Sequence, residues 1–199
     1  VEEVWLASVA NTQLTETVES LLRAKCRRIQ RVMTQSTALG LTVAYAEAGR
    51  MGVDRWLALL ALHVSQAAPC VVVSVGSALT IDGLAVDGQH LGGLIAPAPE
   101  GMREALFLRA PALARARGNV VAFATSTQDA IESGCVLAGV ALIERSLREM
   151  TSRLMCPVAL HISGGGGAAL ENYLPPHEVH QDLVLHGLWV WSNSMCVGE

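Results

Sequence analysis

Aromatic side chains are scarce in this sequence, at 4% of the 199 residues, so its core must be built from Leu, Val, Ile and Ala. Such a core suits parallel strands covered by helices. Charge is also sparse, at 16% of residues with a net value of −4, and no block of like charges occurs. That excludes the basic face needed for nucleic acid or an anionic membrane surface. The longest uninterrupted apolar runs, such as Trp56 to Leu62, fall far short of a membrane span. No CxxC pair is present, and the five cysteines (Cys26, Cys70, Cys135, Cys156, Cys196) are scattered. This usage fits reduced thiols in a cytoplasmic protein. No signal peptide is visible. The sequence begins at Val1, directly in what reads as a strand, so the native amino terminus is expected to lie upstream.

Half of the residues are apolar, which argues for a folded domain, and the length suits one compact domain or two small lobes. Val4 to Val9 reads as a buried strand, with Asn11 as a helix cap and Leu14, Val18, Leu21 and Leu22 at helical spacing behind it. Ile29 to Met33 is a second strand, and Thr34 to Arg50 lacks a clear period and reads as loop. Asp54 to Val64 is a helix apolar on most faces. Val71 to Val73 is a β-branched strand, and Ala78 to Val86 and Gln89 to Ile95 alternate around Asp87-Gly88 as a hairpin. Helices are predicted over Gly101 to Leu108 and along a stripe of Ile131, Cys135, Ala138 and Leu142, with a surface connection from Arg109 to Val120 between them. Val158 to Ile162 is a strand leading into Ser163 and four glycines. Leu183 to Leu185 reads as a last strand, and His186 to Met195 as a closing helix. The order defines an α/β architecture with an antiparallel hairpin.

Three places carry candidate chemistry. Around Ser74, Gly76 and Ser77, a strand turns into a hairpin, and backbone N–H groups with flanking hydroxyls can cradle phosphate; taken alone, an ordinary tight turn is the commoner origin of such a pattern. Leu91-Gly92-Gly93-Leu94 adds a second stretch open to close approach, or a strand bulge. Gly164 and Gly165, in the run between a strand and a helix, give the backbone freedom that seats a nucleotide. Asp54 starts a buried helix, where a carboxylate either complements the helix dipole or accepts a hydroxyl proton during phosphoryl transfer. Arg55 beside it offers a planar fork for a carboxylate. His177 and His180, with His186 further on, lack a fourth ligand, so zinc there is not expected. His90 and His161 fall within strands and read as hydrogen-bonded structural residues. No Gly-x-Ser-x-Gly elbow and no Walker-type Gly-Lys-Ser/Thr is present.

Several segments together resemble the type III pantothenate kinases, of the acetate kinase/sugar kinase/Hsp70/actin superfamily. They are Ala7-Ser8-Val9; Tyr45 followed by Gly52-Val53-Asp54-Arg55; Gly76-Ser77-Ala78-Leu79-Thr80-Ile81-Asp82; Gly88 to Pro97; Thr127 to Gly134; Ile162 to Gly165; and Asp182 to Leu188. The resemblance implies ribonuclease H-like lobes, with residues 1–66 the remainder of a truncated amino-terminal lobe and residues 67–199 the carboxy-terminal lobe. It implies ATP-dependent phosphorylation of pantothenate, the first step of coenzyme A biosynthesis, with Asp54 as general base. Tyr45, Gly52, Val53, Arg55 and Thr127 would bind pantothenate, with Thr127 reaching it across a homodimer interface. Gly76, Ser77, Gly164 and Gly165 would contact ATP, accompanied by Mg2+ and a monovalent cation, potassium or ammonium.

Three departures accompany the resemblance. The family's amino-terminal Asp-x-Gly-Asn-Thr phosphate loop is not in this sequence. Its cation-binding aspartate falls on Ser74, a weaker ligand. Its Pro-Gly after the hairpin is Pro97-Ala98. These departures favour a second reading, a catalytically impaired homologue acting as an accessory factor for gene expression, as some family members named Bvg accessory factor do.

Overall fold

The computed structural model describes residues 1–67, 69–113 and 115–196, with the side chain of Cys196 excepted. It divides into two units. The first comprises Val1–Ala68, Leu84–Gly92 and Asp182–Glu199, and the second Pro69–Gly83 and Gly93–Gln181. A simple division at 66/67 thus differs from this one in the hairpin tip and the closing helix, both grouped with the first unit.

In the first unit, β1 (Glu3–Leu6) and β2 (Arg28–Arg31) pair in parallel, Glu3 opposite Arg28. Parallel neighbours need a crossover, supplied by α1 (Thr12–Arg23), whose first turn is capped by Asn11 Oδ1 accepting from the Leu14 N–H at 2.9 Å. The apolar stripe predicted for α1 is not its buried face. Leu14, Val18 and Leu21 are exposed, and Thr15, hydrogen-bonded to Ser8 at 2.8 Å, is the buried residue. The stretch predicted as loop holds two short antiparallel strands, β3 (Thr37–Ala38) and β4 (Leu41–Thr42), and one 3-10 turn at Ala48–Arg50. Strands of two residues are too short to show a period.

Helix α2 (Val53–Val64) is buried almost all round, as its composition predicts, with Trp56, Leu57, Leu59 and Leu60 wholly enclosed. Each such Leu contributes about 1.5–3 kcal/mol of burial free energy. Its main partner is α6 (Leu183–Cys196), with Trp56 edge-on to Trp191 at 5.1 Å between ring centroids. Leu183 to Leu185, predicted as a strand, is the start of this helix. Three consecutive apolar residues carry no period, and packing against α2 decides their conformation.

The second unit is built on a five-stranded sheet of β5 (Cys70–Val75), β6 (Ala78–Leu84), β7 (His90–Pro97), β8 (Ala159–Ser163) and β9 (Glu178–His180), in the order β7-β6-β5-β8-β9. Two-residue connections at Gly76-Ser77 force β5 and β6 to run antiparallel. β8 lies parallel to β5 with Cys70 opposite Ala159, and β9 parallel to β8 with His161 opposite Glu178. β9 was not predicted, because Glu178-Val179-His180 is polar and only three residues long.

Helix α3 (Pro99–Arg109) starts with proline at its first position, where no N–H is needed. Helix α4 (Thr127–Leu154) is capped by Ser126 and buries Val136, Gly139, Val140 and Ile143. The predicted stripe shares Cys135 with this face but departs from it further along: Ala138 is exposed, whereas Gly139 meets Leu79 and Leu170 of the core, the latter on the single turn α5 (Ala168–Glu171). The four cysteine thiols described (Cys26, Cys70, Cys135, Cys156) are free, and burial pushes that of Cys70 up to about 12; Cys196 lies outside the described side chains. No helix among the described residues is long and apolar enough to cross a membrane.

Helices α3 and α4 are joined by an ion-pair network. Buried Arg103 donates to Glu132 at 2.7 Å and also to Glu100, and Arg117 donates to Glu100 at 2.6 Å. Hydrogen bonds from Arg103 and Arg117 hold the Glu100 carboxyl below the usual range. A lowered native pKa means that the unfolded chain binds the extra proton first. The stability Glu100 contributes is therefore complete above about pH 4.3, the unfolded value, and is lost as pH falls through the native one. Because Glu100 is exposed, the effect is small. Glu100→Gln is expected to flatten the acid limb of stability, read from urea unfolding stepped from about pH 5 downward. An unchanged slope would remove this role.

Candidate active site

The first unit gathers one cluster at the start of α2. Gly52 is the cap residue, with no side chain to bond the first turn, and Asp54 is the only acid there. The half-buried Asp54 turns Oδ1 onto the Arg55 N–H at 2.9 Å. Buried Arg55 donates through Nη1 to the Tyr45 hydroxyl at 3.1 Å, and its guanidinium lies 5.8 Å from the Tyr45 ring centroid. Tyr45 in turn stacks on His90, with centroids 6.1 Å apart, and His90 Nδ1 accepts from the Ala44 N–H at 3.4 Å. Tyr45, Gly52, Val53, Asp54 and Arg55 are thus brought together from two segments. His90 joins them, a residue predicted to be merely structural. Its position in the Gly88-Gln89-His90 segment was the available signal.

The close approach of Gly52 to Asp54 has a consequence. A Cβ at residue 52 would fall 2.6 Å from Asp54 Oδ1 and 3.6 Å from Val9 Cγ1. The backbone at Gly52, with φ −55 and ψ 133, suits any residue. Gly52→Ala is therefore expected to swing the carboxylate aside while leaving the helix intact. A displacement of about 1 Å costs on the order of 10²-fold in rate. The check is kcat beside the melting temperature, and loss of both together would contradict this account.

The second unit gathers the other cluster at the carboxyl ends of β5 and β8, where ligands bind in open α/β sheets. Gly164 has φ +92, and its Cα faces the Val75 carbonyl too closely for a side chain. The Gly166 N–H donates to that same carbonyl at 2.9 Å. These two glycines therefore fix the loop onto β5. At Gly76 and Gly165, by contrast, an added Cβ would meet nothing within 4 Å, so open room remains beside the backbone. Ser77 is exposed in the same turn, and Ser74 is half-buried on β5 opposite Ser163. Open backbone flanked by hydroxyls fits a polyphosphate.

The remaining predicted residue, Thr127, stands in this unit as the first residue of α4, on a largely apolar groove of about 630 Å³ between α3 and α4, with Leu106, Arg109 and Ile131. Among the described residues, one group of three side chains could hold a metal ion, His161, Glu178 and His180. Its imidazoles do not suit magnesium, a hard cation that binds through oxygen and is commonly held by nucleotide phosphates. His177, considered with His180 in the sequence, instead bonds to the Pro175 carbonyl at 2.8 Å.

The mixed sheet, with three antiparallel strands followed by two parallel ones, and the glycine turns at its strand ends define a ribonuclease H-like fold. A Campylobacter jejuni protein of the Baf family has a similar fold, with a TM-score of 0.66 at 22% identity over 98% of this chain and 85% of that one. Residues 1–149 match the family model for type III pantothenate kinase. The chain is 46% identical over 188 residues to a type III pantothenate kinase of Xanthomonas campestris pv. campestris (strain 8004), covering 94% of this chain and 77% of that one. It is 44% identical over 190 residues to that of Xanthomonas euvesicatoria pv. vesicatoria (strain 85-10), covering 96% and 78%. This chain belongs to the type III pantothenate kinase family.

Proposed function

We propose that this protein transfers the γ-phosphoryl of ATP to the primary hydroxyl of pantothenate, giving 4'-phosphopantothenate for coenzyme A biosynthesis. The observation that carries the reading is the Asp54 carboxylate at the start of α2, next to Arg55 and Tyr45, in a chain so similar to enzymes of that name. Asp54 accepts the hydroxyl proton as the phosphoryl group arrives. Arg55, whose guanidinium also meets the Tyr45 hydroxyl, supplies the positive charge that pairs with the pantothenate carboxylate. Gly52 and Val53 let the acceptor approach the helix start, and Thr127 adds a hydroxyl to it from a second copy in a homodimer. Gly76, Ser77, Gly164 and Gly165 bind the ATP phosphates and sugar, with magnesium entering on the nucleotide.

A monovalent cation, potassium or ammonium, belongs to the same proposal, with the Ser74 hydroxyl at its site, as does a cytoplasmic location, which the free thiols favour. The accessory-factor reading is not favoured, because the relatives at 44–46% identity carry the kinase name.

The experiment is ADP release by the full-length protein with pantothenate, a hexose or acetate as acceptor. Turnover is expected with pantothenate alone. Release with another acceptor, or none with any, would overturn the proposal.

A further inference from the structure

Strand β9 closes the edge of the second unit's sheet with two polar residues, and both meet a histidine from the neighbouring strand. In the parallel register, His161 of β8 stands opposite Glu178, and Ser163 opposite His180. This places His161 Nδ1 2.9 Å from His180 Nε2, 3.7 Å from Glu178 Oε2, and leaves 4.0 Å between the last two. His161 is buried, His180 half-buried and Glu178 exposed. Three donors of two kinds therefore converge at a sheet edge, one fixed in the core and one free to adjust.

We propose that His161, Glu178 and His180 form a binding site for a borderline divalent transition cation such as zinc. The point equidistant from the three atoms is the circumcentre of a triangle with sides of 2.9, 3.7 and 4.0 Å. It lies about 2.1 Å from each, the length of a zinc–nitrogen or zinc–oxygen bond. A tetrahedral ion sits slightly out of that plane, and the exposed Glu178 can swing inward to complete the geometry. Two imidazoles with one carboxylate leave a further position for water, as in zinc sites with three protein ligands. The chemistry separates this site from the magnesium carried on ATP, because imidazole favours zinc and its neighbours over hard cations.

Binding takes both imidazoles in the neutral form. In the metal-free pair, one ring donates the shared proton to the other. When the ion binds, that ring carries its proton on its other nitrogen, and no oxidant or reductant is involved. The ion then clamps β9 to β8 by side chains, at the strand that runs into Ser163 and Gly164.

The test uses the full chain, stripped with a chelator and titrated with zinc against a chromophoric competitor in the presence of excess magnesium. One ion per chain is expected, with zinc raising the melting temperature. Glu178→Ala and His180→Ala, both at the surface end of the cluster, are each expected to weaken binding by at least about tenfold, the scale of a lost ligand or its support. The double variant should lose both the binding and the thermal shift. If either variant fails to fold by circular dichroism, His161→Gln and Glu178→Gln give the same readouts. No stoichiometric zinc in the wild-type chain, or unchanged affinity in the double variant, would overturn the proposal.

Discussion

Asp54→Asn is expected to lower pantothenate-dependent kcat by about 10²–10⁴-fold, the contribution of a positioned general base. Asparagine keeps the size of the side chain and an oxygen for the Arg55 N–H, so the local hydrogen bond at 2.9 Å can persist. What is lost is the capacity to take a proton, and a negative charge at the start of α2. The charge alone is worth about 0.3–1 kcal/mol of stability through the helix dipole. A rate effect of about 10³-fold corresponds to about 4 kcal/mol of barrier. The two roles therefore separate by magnitude. Steady-state ADP release and thermal unfolding, measured on the same preparation, distinguish them. A variant that keeps its rate within a few-fold but melts earlier would reduce Asp54 to a helix-terminal charge.

The other large effect is expected at Gly187. On α6 its Cα faces the backbone of Leu57 on α2, and an added Cβ would overlap the Leu57 carbonyl group. Neither contact is the mobile end of a side chain, so the helices themselves must separate. Overpacking of this kind costs about 1–3 kcal/mol and occasionally more. Alanine recovers up to about 1 kcal/mol in helix propensity over glycine. The steric term wins because it acts where Trp56, Leu57 and Leu60 are wholly enclosed. Gly187→Ala should therefore lower the urea midpoint with an unchanged m-value, and reduce turnover as well, since α2 carries Asp54 at its start. Stability equal to that of the wild type would mean that the two backbones do not touch.

How far the sequence could be read depended on how much each element depends on distant partners. The β-branched run at Val71 to Val73 and the hairpin around Asp87-Gly88 are specified by their own residues, and they form as predicted. Leu183 to Leu185 could be strand or helix until α2 is placed beside it. β9 exists only because β8 offers it an edge, which Glu178 and His180 do not announce. At the candidate site, the Gly52 to Arg55 segment was legible because its residues are adjacent. The bond from Arg55 to Tyr45 and the stacking of Tyr45 on His90 were not, since they join positions 10 and 45 residues apart. The glycine run hid a division of labour: Gly164 and Gly166 are held against Val75, and Gly165 faces open space.

The packing of α2 on α6 also orders events during synthesis. The ribosome releases α2 early, with an apolar surface on nearly every side, while its partner is encoded in residues 183–196. The second unit is complete by residue 181 and can condense during elongation. The first unit must instead wait until α6 has emerged, holding Trp56 to Leu62 without that partner in the meantime. A chain truncated before α6 would leave that apolar surface of α2 without its main partner.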